Sequence, residues 1–383
     1  MRLKSCLALL IVLLTISPFA TFAADVTLTP SLGLRGEYND NIDFSRVNKQ
    51  DDYIGTVSPA LSLDVATPRF TFGATAGVDV IRYNENTEND YERQNYGLTM
   101  GYQLFERMSV NVRGSYIADT TLDTELQETG VVERRSERDF YSAGGGVSFT
   151  LTEVSDLALD YTFAKTEYDL AGFEESDSHS ASLAYSHAFN NRRDVVTFRP
   201  YYRNTDSDEE NLDTYGLTIG LAHTFSETLQ GDISAGPRYT ETEYISGRTD
   251  DDWGWTAEVN LTKTWQTASA QIGYSRDLSY TAEGETVEVD RVTLTVSKML
   301  TSKLSSQLAG SLYFTKSTDS ETEDTDTRYY TVTPSLNYNF TDQVALNLAY
   351  SYANEYDKTL SNNREVDRNT VWLTLNFNFP QKW

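Results

Sequence analysis

The sequence predicts an all-β protein, a transmembrane antiparallel β-barrel of about 18 strands with short periplasmic turns and longer acidic extracellular loops. Three observations carry that reading. Eighteen times between Asp25 and Trp383 a run of roughly ten residues alternates apolar and polar side chains. In residues 373–379, Leu373, Leu375, Phe377 and Phe379 share one face and Thr374, Asn376 and Asn378 the other, because side chains along an extended strand point alternately to its two sides. The connections also alternate. Short ones at 66–69, 105–106, 152–155, 190–193, 226–228, 266–268, 301–303 and 341–342 fit periplasmic turns, and the longer links between them, rich in Asp, Asn and Thr, fit outer loops. Finally, beyond the first residues no stretch approaches the ~20 consecutive apolar residues of a spanning helix.

In chain order, Arg2 and Lys4 precede an apolar stretch at 7–16, and Thr21-Phe22-Ala23 supplies small residues for cleavage. That pattern is a secretory signal peptide over 1–23, leaving 24–383 as a single barrel domain. Cys6 leaves with the leader, so disulfide, haem and cysteine-metal chemistry is not expected, nor any cofactor. Strands are expected at 26–38, 53–65, 70–83, 93–104, 107–118, 136–151, 156–168, 178–189, 194–205, 213–225, 229–244, 252–265, 269–281, 287–300, 304–317, 327–340, 343–357 and 366–379. An even number returns both termini to the periplasm, and no segment remains for a plug.

Hydrophobic residues make up 39%, below the ~45–50% of globular domains, as a wet lumen face requires. Without Arg2 and Lys4 there are 29 basic and 57 acidic residues, a formal charge of −28, which excludes a nucleic-acid partner. The acids gather at 84–92, 119–133, 206–213 and 319–326. They read as a solvated outer rim, with divalent-cation bridging to lipopolysaccharide as the alternative. Tyr102, Phe163, Phe189, Phe225, Trp265, Phe340 and Tyr352 fall on the apolar parity where interface girdles belong. Of the few outward charges (Arg82, Lys165, Lys263, Arg276, Asp290 and Lys298), Arg276 fits worst and reads as a bulge or register change. Pro30, Pro59, Pro200, Pro237 and Pro334 lie inside strands and imply bulges, because proline gives no ladder hydrogen bond. Gly144-Gly145-Gly146 implies a bend or close packing.

The same alternation gives the candidate lumen wall. Arg35, Arg113, Arg199, Arg203, Arg238 and Arg291 face inward, against Glu37, Asp64, Asp79, Asp160, Asp232, Glu258 and Asp277. The signs nearly cancel, so such a wall should discriminate weakly between ions. Arg199, Tyr201 and Arg203 form the best basic and aromatic ladder, with pairing to neighbouring acids as its other reading. His179, His187 and His223 all have outward parity, and no nucleophile, base and orienter share a face, so no enzyme is expected. Asp206-x-Asp208-Glu209-Glu210 has oxygen ligands but lacks the glycine and terminal glutamate of an EF-hand loop.

Tyr38-Asn39-Asp40-Asn41-Ile42, closing the first strand, resembles the Tyr-x-Asp-Asn-Ile phrase of a family of outer-membrane β-barrel porins encoded with exopolysaccharide-synthesis genes. The Pro-x-Leu strands and the full-length patterning are similar too. The resemblance implies a conduit for exported polysaccharide, with periplasmic export components as partners. Phe377, Phe379 and Trp383 resemble the aromatic-ended last-strand signal read by the barrel-assembly machinery, although Pro380 interrupts it. The expectation is an outer-membrane channel among lipid and lipopolysaccharide. The competing one is a non-conducting structural or adhesive barrel whose acidic loops bind lipopolysaccharide, cations or matrix polymer.

Overall fold

A computed structural model describes residues 24–131, 134–189, 193–318, 325–360, 362 and 364–383. The leader, the turn positions 190–192 and most of the acidic stretch 319–326 lie outside the described residues. Eighteen long strands run in chain order: β1 Asp25–Asn39, β2 Asp52–Ala66, β3 Phe70–Tyr83, β4 Tyr91–Phe105, β5 Met108–Thr120, β6 Glu137–Thr152, β7 Ser155–Tyr168, β8 Ser176–Phe189, β9 Asp194–Ser207, β10 Glu210–Ser226, β11 Leu229–Tyr244, β12 Thr249–Thr264, β13 Ala268–Tyr280, β14 Thr286–Met299, β15 Leu304–Ser317, β16 Asp326–Asn339, β17 Val344–Asp357 and β18 Glu365–Asn378. Each pairs antiparallel with its successor, and β1 closes the ring on β18 from Ser31↔Asn378 to Asn39↔Thr370. A closed ring leaves no lipid-facing edge, which is what a bilayer demands of a sheet.

Ladder partners share a face, so the registers carry the inside-outside assignment around the ring. Leu32, Leu34, Leu98, Leu159, Ile219, Leu294 and Leu373 form part of an exposed apolar band. Tyr102, Phe189, Phe225, Trp265 and Phe340 are exposed near the short-turn end. Near the other end, Tyr38 and Tyr53 pack at 5.1 Å, Tyr96 and Tyr116 stack at 5.9 Å, and Tyr239 lies 5.1 Å from Trp253. These rings form two belts.

The prolines do not make bulges. Across Pro59 the β2–β3 ladder lapses between Val57↔Val80 and Ala60↔Gly77, and resumes in the same register. Pro200, Pro237 and Pro334 open equivalent gaps, and after Pro30 and Pro380 the two-residue strand β19 Gln381–Lys382 rejoins β1 unshifted at Leu28↔Gln381. Each proline forfeits pairing on one side only, which costs less than moving every side chain to the wrong face. Register shifts occur instead beside short turns, at 103/105, 150/152 and 224/226.

The long-loop end overturns two expectations. Residues 206–213 are not a loop, because β9 and β10 meet there in a tight turn. Residues 119–131 of the acidic 119–133 stretch are not a solvated rim either: they fold inward around a short helix, α1 Glu125–Thr129, with Leu126 buried. Tyr313 donates to the Gln127 carbonyl at 2.6 Å and Thr315 donates to the Thr129 carbonyl, so α1 hangs from the lumen face of β15. Phe44, Leu122 and Leu126 pack with Val287, Val289, Tyr329 and Val366 as an apolar core inside the barrel mouth. The barrel therefore carries a plug built from its own loops. Tyr38-Asn39-Asp40-Asn41-Ile42 seats one part of it. The Asp40 carboxylate accepts from the Asn369 backbone and side chain, both at 2.7 Å, the Asn41 amide donates to the Ser45 and Asp367 carbonyls, and Ile42 is buried beside Ile54 and Ile81.

Candidate functional site: the lumen wall

By register the fourteen sequence-derived candidates carry the parity opposite the exposed apolar band, and six of them gather at one place. Asp160 on β7, Arg199, Tyr201 and Arg203 on β9, Glu258 on β12 and Asp277 on β13 line a cavity of ≈ 300 Å³ together with Ser180, Thr218 and Ser234. Alternation along β9 places Arg199, Tyr201 and Arg203 on one face. Arg203 reaches Asp277 at 3.2 Å, although four ladders separate their strands along the wall. Arg199 is exposed to the lumen and forms no ion pair among the described residues.

Long polar side chains cross the wall where the neighbouring strand supplies glycine. Arg113 on β5 reaches over Gly144 and Gly146 of β6 to grip Asp160 at 2.6 and 2.9 Å. A Cβ on either glycine would press on that pair, which gives Gly144-Gly145-Gly146 its role as close packing rather than a bend. Arg238 lies across Gly254 and meets Glu288 at 3.4 Å, and a Cβ at Gly216 would overlap the Tyr201 ring.

The remaining candidates sit elsewhere. Arg35 pairs with Glu37 and stacks 4.5 Å over Trp372 on the β1–β18 side. Asp79 accepts from Arg93 at 2.8 Å, Asp232 accepts from Asn260 at 3.1 Å, and Arg291 lies 5.3 Å over Tyr313. Asp64 approaches Gly73 on the β2–β3 side. The sequence reading missed Arg93 and Arg138, the latter held by Asp119 at 3.0 Å. Counting parity back from Leu98 and Phe149 would have found both. It also missed the inward apolar wall of β14–β18, because alternation alone equates apolar with lipid-facing. Arg276 is no bulge: its ladder to Asp290 is continuous, its guanidinium lies 4.6 Å over Trp255, and it bonds Asp290 at 2.5 Å and Glu288.

Most wall arginines are thus neutralised by a neighbouring carboxylate, and the inner surface between them is Ser, Thr and Asn. Such a surface offers hydrogen bonds, and its charges without an ion pair among the described residues are of both signs, Arg199 and Arg291 against Asp64, Asp232 and Glu258. The catalytic alternative finds no support in the histidines, since His179 and His187 bond Tyr161 and Ser155 on the outer face. Asp206 and Glu210 point to opposite faces, Glu210 inward to Thr286 at 2.7 Å, so they do not converge on one ion.

The family described as "Putative beta-barrel porin 2" matches residues 23–379. The chain belongs to that family. No curated protein matches the sequence. Among solved structures, this porin is similar to OccK2 (OpdF) of Pseudomonas aeruginosa in complex with glucuronate, with a TM-score of 0.50 and 11% identity over 93% of this chain and 98% of that one. OccAB4 of Acinetobacter baumannii gives a TM-score of 0.49 at 14% identity over 95% and 100% of the two chains. The family and the closed all-β ring identify an outer-membrane β-barrel porin.

Proposed function

We propose that this porin is a channel for hydrophilic solutes, with exported polysaccharide as its cargo. The observation that supports it is the cavity at Arg199, Tyr201 and Arg203, where a polar wall, one uncompensated cation and an aromatic face meet inside a ring wide enough at 18 strands for an aqueous lumen. Sugars need many hydrogen-bonding groups and a flat apolar platform, and a near-neutral wall does not trap them. The motif at 38–42 favours polysaccharide through the family resemblance, and its Asn41 and Ile42 anchor the loop that narrows the mouth. In this reading the short turns and both termini face the periplasm, and the Phe377, Phe379, Trp383 end is what the assembly machinery recognises.

A second reading, a non-conducting structural barrel, draws on the apolar plug core. Planar-bilayer recording separates the two. Stable steps that shrink when neutral dextran fragments are added support the channel. Silence from barrel with native heat-modifiable gel mobility, in the parent and in a variant lacking residues 122–131, supports the structural reading.

A further inference from the structure

Among the described residues the ring has one incomplete seam, between β12 and β13. The β12–β13 ladder runs from Thr264↔Ser269 and stops at Ala257↔Arg276, although β12 continues to Thr249 and β13 to Tyr280. Above the stop, β12 is paired only with β11, and β13 only with β14. Three contacts show where β13 and β14 go instead. Tyr280, on the outward parity of β13, is hydrogen-bonded to the Ser207 hydroxyl on the inner face of β9 at 2.8 Å and donates to Glu174 at 3.0 Å. Thr286, outward on β14, donates to inward Glu210 on β10 at 2.7 Å. Glu288, also outward on β14, meets inward Arg238 on β11 at 3.4 Å. Outer faces pack on inner faces, so the tip of the β13–β14 hairpin is tucked inside the barrel behind β9–β12. There the Ala282 backbone donates to Glu125 of α1 at 2.6 Å, and the Glu174 backbone donates to the Ala282 carbonyl at 2.8 Å. The tip is part of the plug.

The two free edges fit each other. Continuing the register of Ala257↔Arg276 sets Trp255 opposite Leu278, Trp253 opposite Tyr280 and Asp251 opposite Ala282. Tyr202, Tyr215, Tyr239 and Trp253 already face one another across four consecutive strands in the belt near the long-loop end. In the continued register Tyr280 becomes the fifth ring of that run, and Leu278 joins the lipid band. The sequence of β13 thus satisfies the outward pattern that its observed position does not use. The tucked arrangement is held by these polar contacts, which water can replace, and by the seating of Val287 and Val289 in the apolar plug core, whereas the zipped one regains ladder hydrogen bonds and apolar exposure to lipid.

We infer that the β13–β14 hairpin is a gate with two seats: tucked, it completes the plug, and zipped onto the free edge of β12, it closes the wall and withdraws its part of the plug from the lumen. Two discrete packings of one element are how such switches work. The pairing claim stands on the registers alone, and the gating claim rests on the channel reading above.

Residues 24–383 contain no cysteine, so introduced pairs report cleanly. Trp253→Cys with Tyr280→Cys, and Asp251→Cys with Ala282→Cys, become ladder partners at the roughly 4.4–6.8 Å Cα spacing of a disulfide in the zipped seat, and neither pair is in the observed ladder. Mild oxidant should cross-link both pairs in barrel with native heat-modifiable mobility and raise conductance at least threefold, reversibly with dithiothreitol. Tyr280→Phe keeps the ring but deletes the tucked-state hydroxyl bonds, and should speed cross-linking of the 251/282 pair severalfold. Failure of both pairs to cross-link overturns the second seat, and cross-linking without a conductance change overturns the gate. The unlinked parent's own conductance reports separately on the channel reading.

Discussion

Leu373 and Thr374 are neighbours in sequence and face different solvents. Leu373 is 48% exposed on the lipid band, while Thr374 sits opposite Arg35 on the lumen side. Leu373→Arg should therefore cost roughly 2–4 kcal/mol, and Thr374→Arg far less because its guanidinium stays hydrated. Urea unfolding midpoints in lipid vesicles measure the difference, and equal midpoints contradict the facing of β18. At Arg199 the residue scale decides ion selectivity. Arg203 is matched by Asp277 and Arg113 by Asp160, so Arg199→Ser alone should deepen the cation preference expected from the chain's excess of acidic residues, and the effect should fade near 1 M salt, where screening falls to about 3 Å. Reversal potentials under a salt gradient check this, and persistent anion selectivity in the parent contradicts the neutralised wall.

At the scale of elements, the inward loops act as one packed unit. Leu126 on α1 is buried among wall residues, so Leu126→Ser should weaken the seating by roughly 2–3 kcal/mol and raise the open fraction about 30- to 150-fold while the plug remains the majority state. Single-channel open probability is the readout. An epitope inserted after Ser246 at the β11–β12 tip, where Gly247 has φ +77° and open space around it, should be tolerated and antibody-accessible on intact cells. The same insertion within α1 should disturb the mouth.

Glu174 should make the same unit pH-sensitive. Burial first, then contact with Glu209 and the charge of Asp208, push its carboxyl up to about 7, against a lowering hydrogen bond from Tyr280, and Gly284 of the β13–β14 tip lies directly on it. A raised folded-state value means that the packed mouth holds the extra proton. Its stability is fully present below the ordinary value of 4.5 and is lost as pH rises through about 7. Glu125, raised by burial beneath the same tip, acts in the same direction. Conductance should therefore climb between pH 5 and pH 8, and Glu174→Gln should flatten most of that rise. A profile that falls with pH contradicts the assignment.

For the whole molecule, the ring and the mouth obey different rules. The ring is fixed by a period of two and by the bilayer, which forbids unpaired backbone against lipid. The mouth is fixed by long-range packing of Phe44, Leu122 and Leu126 against strands up to about three hundred residues away in the chain.

That division explains what the sequence by itself determined. Alternation and turn chemistry set eighteen strands and their order, because each strand reads its two solvents locally. Only the tertiary structure decided that the acidic segment 119–131 turns inward, that Val287, Val289 and Val366 face a dry interior rather than lipid, and that β13 leaves its ladder with β12 at Arg276. An apolar side chain in an alternating strand satisfies lipid and a packed loop equally well, so its own position cannot distinguish them. The distinction comes from the loop that arrives to cover it, and that meeting depends on residues far away in the chain.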